Sequence, residues 1–209
     1  RGALKAATER GVRVNLSLHT PDGDPADLPG PDALAEVCSE ARHRRLPSPF
    51  VVIVDRTKTC FAPHAGSTNE YGVLVDDRTH TYVFHWYFLT TQWDTWEPVY
   101  AASNDEPPID YIDIRYCVRD VGPLLRDGAT VRIRVEGTDT ESGADRVVEG
   151  VLSDVVVTGD ADVGATAVAS YGGRVGLIVE TDDGPVEVGG WGAMVEAVEA
   201  HRITVVAVE

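Results

Sequence analysis

The second half of the chain repeats one pattern that restricts its fold more than any other feature. From Asp110 onward, segments of strand length that are rich in Val and Ile alternate with turns that contain glycine. The segments read TVRIRVEG, DRVVEGVLSDVVVTG, ATAVASYGG, RVGLIVETDDG and PVEVGG, and residues 203–208 can add a closing strand. Short strands at such regular spacing are typical of a sandwich or barrel, and the turn Asp182-Asp183-Gly184 has the composition of a tight turn. The pattern therefore predicts a small β-sandwich or barrel.

The first half has a different rhythm, in which helices and strands alternate. Residues 1–10 have the composition of a helix that ends at Gly11, and residues 12–18 alternate apolar and polar side chains as a half-buried strand does. Asp32 can cap a helix over residues 33–45. The continuous apolar run FVVIVD at residues 50–55 is typical of a strand buried on both faces. This order predicts an α/β part with a sheet that is parallel at its start.

Two further segments complete the first half. Residues 71–75 and 81–89 are predicted to be strands of a hairpin, joined by the polar turn at residues 76–80. The second segment carries apolar side chains on both faces, which predicts a central strand. Residues 102–109, ASNDEPPI, have the composition of a linker. The chain is therefore predicted to form two domains, residues 1–105 and 106–209, and to belong to the α+β class.

Residues 185–200 are typical of a strand, a glycine turn and a C-terminal helix. On a helical wheel Trp191, Met194, Val195 and Val198 share one face, while Glu196 and Glu199 lie outside it. Free N–H donors at the start of such a helix, an aromatic ring and a carboxylate suit a neutral polyhydroxylated ligand. Two alternatives stay open at this point: a packed helix whose glutamates only face water, and a site for a lone phosphate.

The charge of the chain narrows the range of partners. It carries 34 acidic and 18 basic residues, a formal net charge of −16 at pH 7, and Lys5 and Lys58 are its only lysines. Such a composition is typical of proteins from salt-loving organisms, where strong ionic screening weakens self-repulsion. The same charge argues against direct binding of this chain to DNA or to an anionic membrane.

Catalytic, metal-binding and membrane-targeting signals are weak. The three cysteines lie far apart and outside any CxxC pair, which argues against a disulfide framework or a zinc site and favours a cytoplasmic setting. Cys60 and His64 have no spacing that constrains them as nucleophile and base. GxSxG, HExxH and P-loop motifs are missing, and Val195 stands where a dinucleotide fingerprint needs its third glycine. The sequence therefore predicts no catalytic residue, no metal and no cofactor.

The parts in their order resemble a known family. The α/β beginning, the aromatic block EYGVLVDDRTHTYVFHWYFLTTQW, the β-rich second half and the closing GGWGAMVEAVEA together resemble the effector half of TrmB-type archaeal sugar-responsive transcription regulators, most like halophilic members. The resemblance implies a non-catalytic phospholipase D-like first part, since the HxK motif of that fold is missing, and a sugar-binding β-rich second part. It also implies a homodimer and a winged-helix DNA-binding domain on the N-terminal side of Arg1.

The resemblance also implies a ligand site. The binding segment of the family falls on the C-terminal turn and helix, where the glutamate binds ligand hydroxyls. The remaining contacts of the family come from an earlier loop and from the strand region before this turn, and Tyr171 and Gly172 are the nearest match to them. The site residues so implied are Gly190, Trp191, Met194, Val195, Glu196, Tyr171 and Gly172. The predicted function is a sugar-sensing effector module. The alternatives are a hydrolase derived from the phospholipase D fold and a sensor of a phosphorylated metabolite, which a basic pocket residue such as Arg174 or Arg202 would favour.

Overall fold

The computed structural model describes residues 1–20, 24, 27–102, 106–158, 164 and 167–209. The chain divides into two compact units, Arg1–Ser103 and Asn104–Glu209. Strands predominate in both units and a few helices accompany them, so the predicted α+β class is confirmed. Among the described residues, none of the helices has both the length and the apolar character needed to cross a membrane.

One sheet of the first unit has three strands in the order β1-β2-β6. After helix α1 (Gly2–Thr8), strand β1 (Asn15–His19) pairs in parallel with β2 (Glu40–Arg44), and β2 pairs antiparallel with β6 (Glu97–Ala101). A parallel pair at the start of the chain is therefore present, but not between the two strands that were predicted. The partner of β1 lies inside the predicted helix, and residues 50–54 belong to a separate sheet. A small apolar core covers this sheet, formed by Leu34, Val37, Cys38 and Ala41.

The predicted helix over residues 33–45 is wrong beyond its first turn. Helix α2 (Pro31–Ala35) is short, and β2 follows after four residues. Ala41 and His43 are buried while Glu40, Arg42 and Arg44 are less so, which is the period-2 alternation of a strand. Pairing with β1 on one side and with β6 on the other satisfies the backbone hydrogen bonds of β2.

The second sheet of this unit is antiparallel and consists of β3 (Phe50–Val54), β4 (Lys58–Ala62) and β5 (Val73–Asp76). The prediction that β3 is buried on both faces is wrong. Phe50, Val52 and Val54 are exposed on the outer face of this sheet, and only the opposite face is covered. A continuous apolar run is therefore compatible with an exposed strand, because apolar atoms make up much of any protein surface.

The predicted second strand of a hairpin, residues 81–89, is helical. Helix α3 (Arg78–Tyr87) begins after Asp77, whose carboxylate accepts a hydrogen bond of 2.8 Å from the backbone N–H of His80, and it continues into the π-helix Phe88–Trp93. The ring of Phe61 on β4 lies 5.3 Å from Phe84 and 6.1 Å from Tyr87. Because Phe84 and Tyr87 are three residues apart, a helix presents both to the sheet, whereas a strand would turn them to opposite faces.

The second unit contains a six-stranded sheet in the order β11-β10-β9-β8-β12-β7, and β11 also pairs with β12. The strands are β7 (Ile109–Tyr111), β8 (Val131–Asp139), β9 (Asp145–Val157), β10 (Val175–Thr181), β11 (Gly184–Gly189) and β12 (Val198–Val208). Because of the extra pairing, β8 to β12 form a closed ring. The largest apolar core of the chain lies inside this unit.

Helix α4 (Ile114–Arg126) is not among the predicted elements, although its signals are visible in the sequence. The carboxylate of Asp113 accepts a hydrogen bond of 2.9 Å from the backbone N–H of Arg115, and Gly128 follows the helix with φ +85°. The buried apolar residues are spaced as one helical face and join the core of the second unit; they are Ile114, Cys117, Val118 and Val121.

Two predictions in the second unit are wrong. Residues 165–173, predicted as a strand, contain the short 3-10 helix Val168–Ser170, while residues 165 and 166 lie outside the described residues. The predicted C-terminal helix is instead a loop over residues 190–197 followed by β12. Val198 pairs with Val188 of β11 and with Asp139 of β8. A helix at this position would leave the facing edges of β11 and β8 unpaired.

Candidate functional site

The loop at residues 190–197 lies between two strands that pair in parallel. Val188 pairs with Val198 and Gly189 with Glu199, so the eight intervening residues must leave the end of β11 and return beside it. This loop, called the return loop below, contacts the first turn of α4 and the side chain of Arg174, which immediately precedes β10. Three separate parts of the chain therefore meet here.

Glycines at the start of the return loop are needed for space. A Cβ at Gly189 would lie 2.6 Å from the Cβ of Ala193 and 2.8 Å from Oε2 of Glu196. A Cβ at Gly190 would lie 2.6 Å from Cγ2 of Ile114. Positive φ, which favours glycine for conformational reasons, occurs instead at Gly192, with φ +83°. Gly189 and Gly190 thus allow the loop and the α4 turn to approach the strand end closely.

Glu196 carries the buried charge of the site. Its side chain is 5% exposed, and Oε1 accepts a hydrogen bond of 2.7 Å from Nε of Arg174. Burial by itself would raise the pKa of this carboxyl group. The hydrogen bond from Arg174, the positive charge of that residue and the backbone N–H groups of Glu196 and Val195 outweigh burial, and the pKa lies below its usual value. Glu196 is therefore ionised at neutral pH.

Arg174 joins two carboxylates. While Nε bonds Glu196, Nη2 donates a hydrogen bond of 2.7 Å to Oε1 of Glu187 on β11. The hydrogen bond to Glu196 and the charge of Glu187 raise the pKa of the Arg174 guanidinium further. Two carboxylates (−2) and one guanidinium (+1) leave this group of three, called the acid–arginine triad below, with a net charge of −1. Arg174 and Glu187 are its solvent-exposed members, with 38% and 37% of their side chains accessible.

The backbone on either side of Arg174 is held to the end of β9. The N–H of Arg174 donates to Oγ1 of Thr158 at 2.8 Å, and the N–H of Thr158 donates to the carbonyl of Arg174 at 3.0 Å. A Cβ at Gly173 would lie 2.6 Å from the carbonyl oxygen of Thr158. This close contact fixes the point from which the Arg174 side chain extends toward Glu196.

Tyr171 lies in the core and does not line the site. Its ring is fully buried, its hydroxyl accepts a hydrogen bond of 3.0 Å from the N–H of Gly164, and its carbonyl accepts one of 3.1 Å from Nε of Arg115. Arg115 is itself buried beside Asp113. Tyr171 therefore attaches the loop before β10 to the first turn of α4, and the adjacent Gly172 is exposed.

The remaining predicted site residues do not share one face. Trp191 is buried, whereas Met194 and Val195 are exposed by 88% and 72% and extend from the return loop into solvent. The common helical face predicted for these residues and Val198 is wrong, because the loop is not helical. The alternative of a helix whose glutamates only face water is also wrong, for Glu199 as for Glu196. Glu199 is 7% exposed on β12, with its carboxylate 3.9 Å from Nε2 of His201.

Arg174 and Glu187 join Glu196 in a cluster of which the sequence predicted only Glu196 as a site residue, named Arg174 under the phosphate alternative and did not name Glu187. Glu187 lies 13 residues after Arg174, and Glu196 lies 22 residues after it, so no short motif contains all three. The sequence signal for this arginine was that Arg174 is the single base of the acidic segment Tyr171–Asp183 and stands between two glycines and an apolar run. Chemically, the triad offers both hydrogen-bond acceptors and donors within one charged group. Within the described ranges, no group of three or more His, Cys, Asp or Glu side chains is placed to hold a metal ion.

Comparisons with known proteins agree for the two halves of the chain. Residues 1–100 match the family model described as transcriptional regulator TrmB, EBD (effector-binding domain) N-terminal subdomain. Residues 106–208 match the model described as TrmB/TrmBL1, EBD C-terminal subdomain. No curated protein matches the chain.

Proposed function

The chain belongs to the TrmB family of transcriptional regulators and corresponds to their effector-binding domain, and on this premise we propose that its second unit binds a small sugar at the return loop. The observation that carries the proposal is the acid–arginine triad. A charged donor and two charged acceptors lie together at a loop whose neighbouring side chains, Met194 and Val195, are apolar and exposed.

The chemistry of this arrangement matches that of a polyhydroxylated ligand. Each sugar hydroxyl can donate one hydrogen bond and accept others, so neighbouring hydroxyls can donate to Glu187 or Glu196 and accept from Arg174. The C–H faces of a sugar ring are apolar and can pack against Met194 and Val195. Trp191 is buried below the loop surface, so we assign it to support of the loop and not to an open stacking platform.

The test is calorimetry against glucose, maltose, sucrose and glycerol, with the parent and two variants. Glu196→Gln keeps the shape of the side chain and removes its charge. Since a charge-assisted hydrogen bond contributes about 1.5–3 kcal/mol, we expect affinity for the bound sugar to fall roughly tenfold or more. Glu199→Gln is the matched control, because Glu199 is a glutamate buried to a similar extent whose carboxylate lies beside His201, away from Arg174.

Two results would contradict the proposal. One is the absence of binding by any sugar of the panel. The other is an equal loss of affinity in Glu196→Gln and Glu199→Gln, which would indicate a general effect of removing a buried charge. Melting temperatures of both variants are measured in parallel, so that a loss of folded protein is not counted as a loss of affinity.

A sensor of a phosphorylated metabolite is the second candidate, and one observation favours it: the site contains a base. Arg174 reaches the return loop. Arg202, the other base considered from sequence, hydrogen-bonds Asp110 on the neighbouring strand β7. The net charge of −1 on the triad favours the neutral sugar over this alternative.

The wider regulatory role is part of the same proposal. As a family member, the chain is proposed to act as a non-enzymatic homodimer, with a phospholipase D-like first unit and a DNA-binding domain outside these 209 residues. Ligand binding would shift the population between two arrangements of the regulator, because a ligand favours whichever state it binds more tightly. The oligomeric state is measured by sedimentation with and without the sugar.

A further inference from the structure

We propose that Glu187 and Arg174 together determine the charge selectivity of the ligand site, so that it accepts neutral polyhydroxylated ligands and rejects their phosphorylated or carboxylated counterparts. This inference rests on the proposed function, since it concerns the same site. It assigns a specificity role to a residue on β11 and a residue before β10, neither of which belongs to the return loop.

The argument begins with the hydrogen bonds of Arg174. A guanidinium has five N–H donors, and here one bonds Glu196 and another bonds Glu187, each at 2.7 Å. The charge of Arg174 is thereby matched by two opposite charges. A phosphate that approached the remaining donors would meet a group with a net charge of −1, in a chain whose formal net charge is −16. A hydroxyl uses the same donors without electrostatic penalty.

The two carboxylates have different roles in this balance. Glu196 is buried, holds Arg174 through Nε and is bonded by backbone N–H groups, so it is a fixed part of the loop. Glu187 is exposed on one side of the site, and its carboxylate accepts a hydrogen bond from Nη2 of Arg174. Glu187 is therefore the member whose charge can be removed while the Arg174–Glu196 pair stays in place.

Removal of that charge makes a specific prediction. In Glu187→Gln the triad changes from a net charge of −1 to 0, and Nη2 of Arg174 is no longer held by a carboxylate. The removed repulsion is that between the Glu187 carboxylate and a negative charge of the ligand about 6 Å away. At an effective dielectric constant of about 40, its loss raises the affinity for a phosphorylated ligand roughly tenfold relative to the parent. Affinity for the neutral sugar should fall as well, because a hydroxyl loses its charge-assisted hydrogen bond to Glu187. The anionic ligands lose the same hydroxyl contact, so the ratio between sugar and anion reports the change in charge alone.

The experiment compares glucose with glucose 6-phosphate and glucuronate by calorimetry. We expect the parent to bind glucose at least tenfold more tightly than either anion, and Glu187→Gln to reduce this ratio roughly tenfold. The reduction should shrink as potassium chloride is raised, which a purely structural effect would not do. Glu149→Gln is the control, because Glu149 is an exposed strand glutamate that pairs with a different base, Arg134.

A second variant tests whether the effect depends on the net charge of the triad. In the double variant Glu187→Gln with Arg174→Gln the net charge returns to −1, so the gain for the anions should disappear. A gain that persists in the double variant overturns the inference.

Each outcome has one meaning. An unchanged ratio in Glu187→Gln, or the same change in Glu149→Gln, overturns the selectivity inference and leaves sugar binding in place. A parent that binds glucose 6-phosphate more tightly than glucose overturns the inference and supports the phosphorylated-metabolite sensor. Failure of the parent to bind any of the three ligands or the other sugars of the panel overturns the proposed function and this inference with it.

Discussion

Gly189→Ala is the substitution that most directly tests the packing of the site. The added Cβ would lie 2.6 Å from the Cβ of Ala193 and 2.8 Å from Oε2 of Glu196. Carbon atoms in contact normally lie about 3.5–4.0 Å apart, so the return loop must move by about 1 Å. The loop can do this only by displacing the Glu196 carboxylate, whose position is set by Arg174 and by backbone N–H groups.

The expected cost follows from the size of this overlap. Inserting one methyl group into a closely packed site costs about 1–3 kcal/mol. For a unit of about 100 residues this lowers the melting temperature by about 5–15 °C. Affinity for the ligand should fall as well, because the carboxylate and the arginine leave their common position.

Thermal and urea unfolding, followed by circular dichroism, give the stability, and calorimetry gives the affinity. Gly176→Ala is a matched control on the opposing strand, since Gly176 pairs with Gly189. The nearest atom to its added Cβ would be the carbonyl oxygen of Val188, at 3.2 Å. Gly189→Ala combined with Ala193→Gly removes the closer of the two contacts and should restore part of the stability. If Gly189→Ala matches the parent in both stability and affinity, the close approach of the loop to β11 is refuted.

Three further predictions concern other parts of the chain. Of the three thiols, Cys60 should react first with a thiol reagent in the native protein, because burial raises the pKa of Cys38 and Cys117 and shields both; equal rates would contradict this. Hydrogen bonds from Ser142 lower the pKa of Asp139 to about 2, so the stabilising contribution of Asp139 is present above about pH 4 and lost as the pH falls toward 2. The difference in melting temperature between the parent and Asp139→Asn should therefore vanish over that range. The melting temperature should rise from low to multimolar potassium chloride, because the 34 acidic residues, which outnumber the 18 basic ones, repel one another less when screened, and a flat profile would refute the halophilic interpretation.

The sequence located β8 to β11 and the end of β12 because their signals are local. The alternation of Val and Ile with Arg and Glu in β8, the apolar run of β10 and the glycine turn before β11 depend only on neighbouring residues. The amphipathic spacing and the Asp113 cap of α4 are equally local, so that helix was within reach of the sequence although it was not predicted.

Elsewhere the tertiary partners decided between two structures that the local pattern allowed. The aromatic segment of α3 has β propensity, yet Asp77 caps a helix and Phe61 supplies a surface for its aromatic face. The spacing of Trp191, Met194 and Val198 fits a helical wheel, yet β8 and β11 together provide backbone partners that make Val198 the start of a strand.

The sequence by itself determined the class of the fold, the strand-rich second half, the family and the segment that contains Glu196. Only the tertiary structure decided what Glu196 contacts and how deeply it is buried. Arg174, Glu187 and Glu196 are far apart along the chain and meet because β11 pairs with β10 on one side and with β12 on the other. Hydrogen bonds and charges act over a few ångströms in space, so a site built from distant residues has no signature in local sequence.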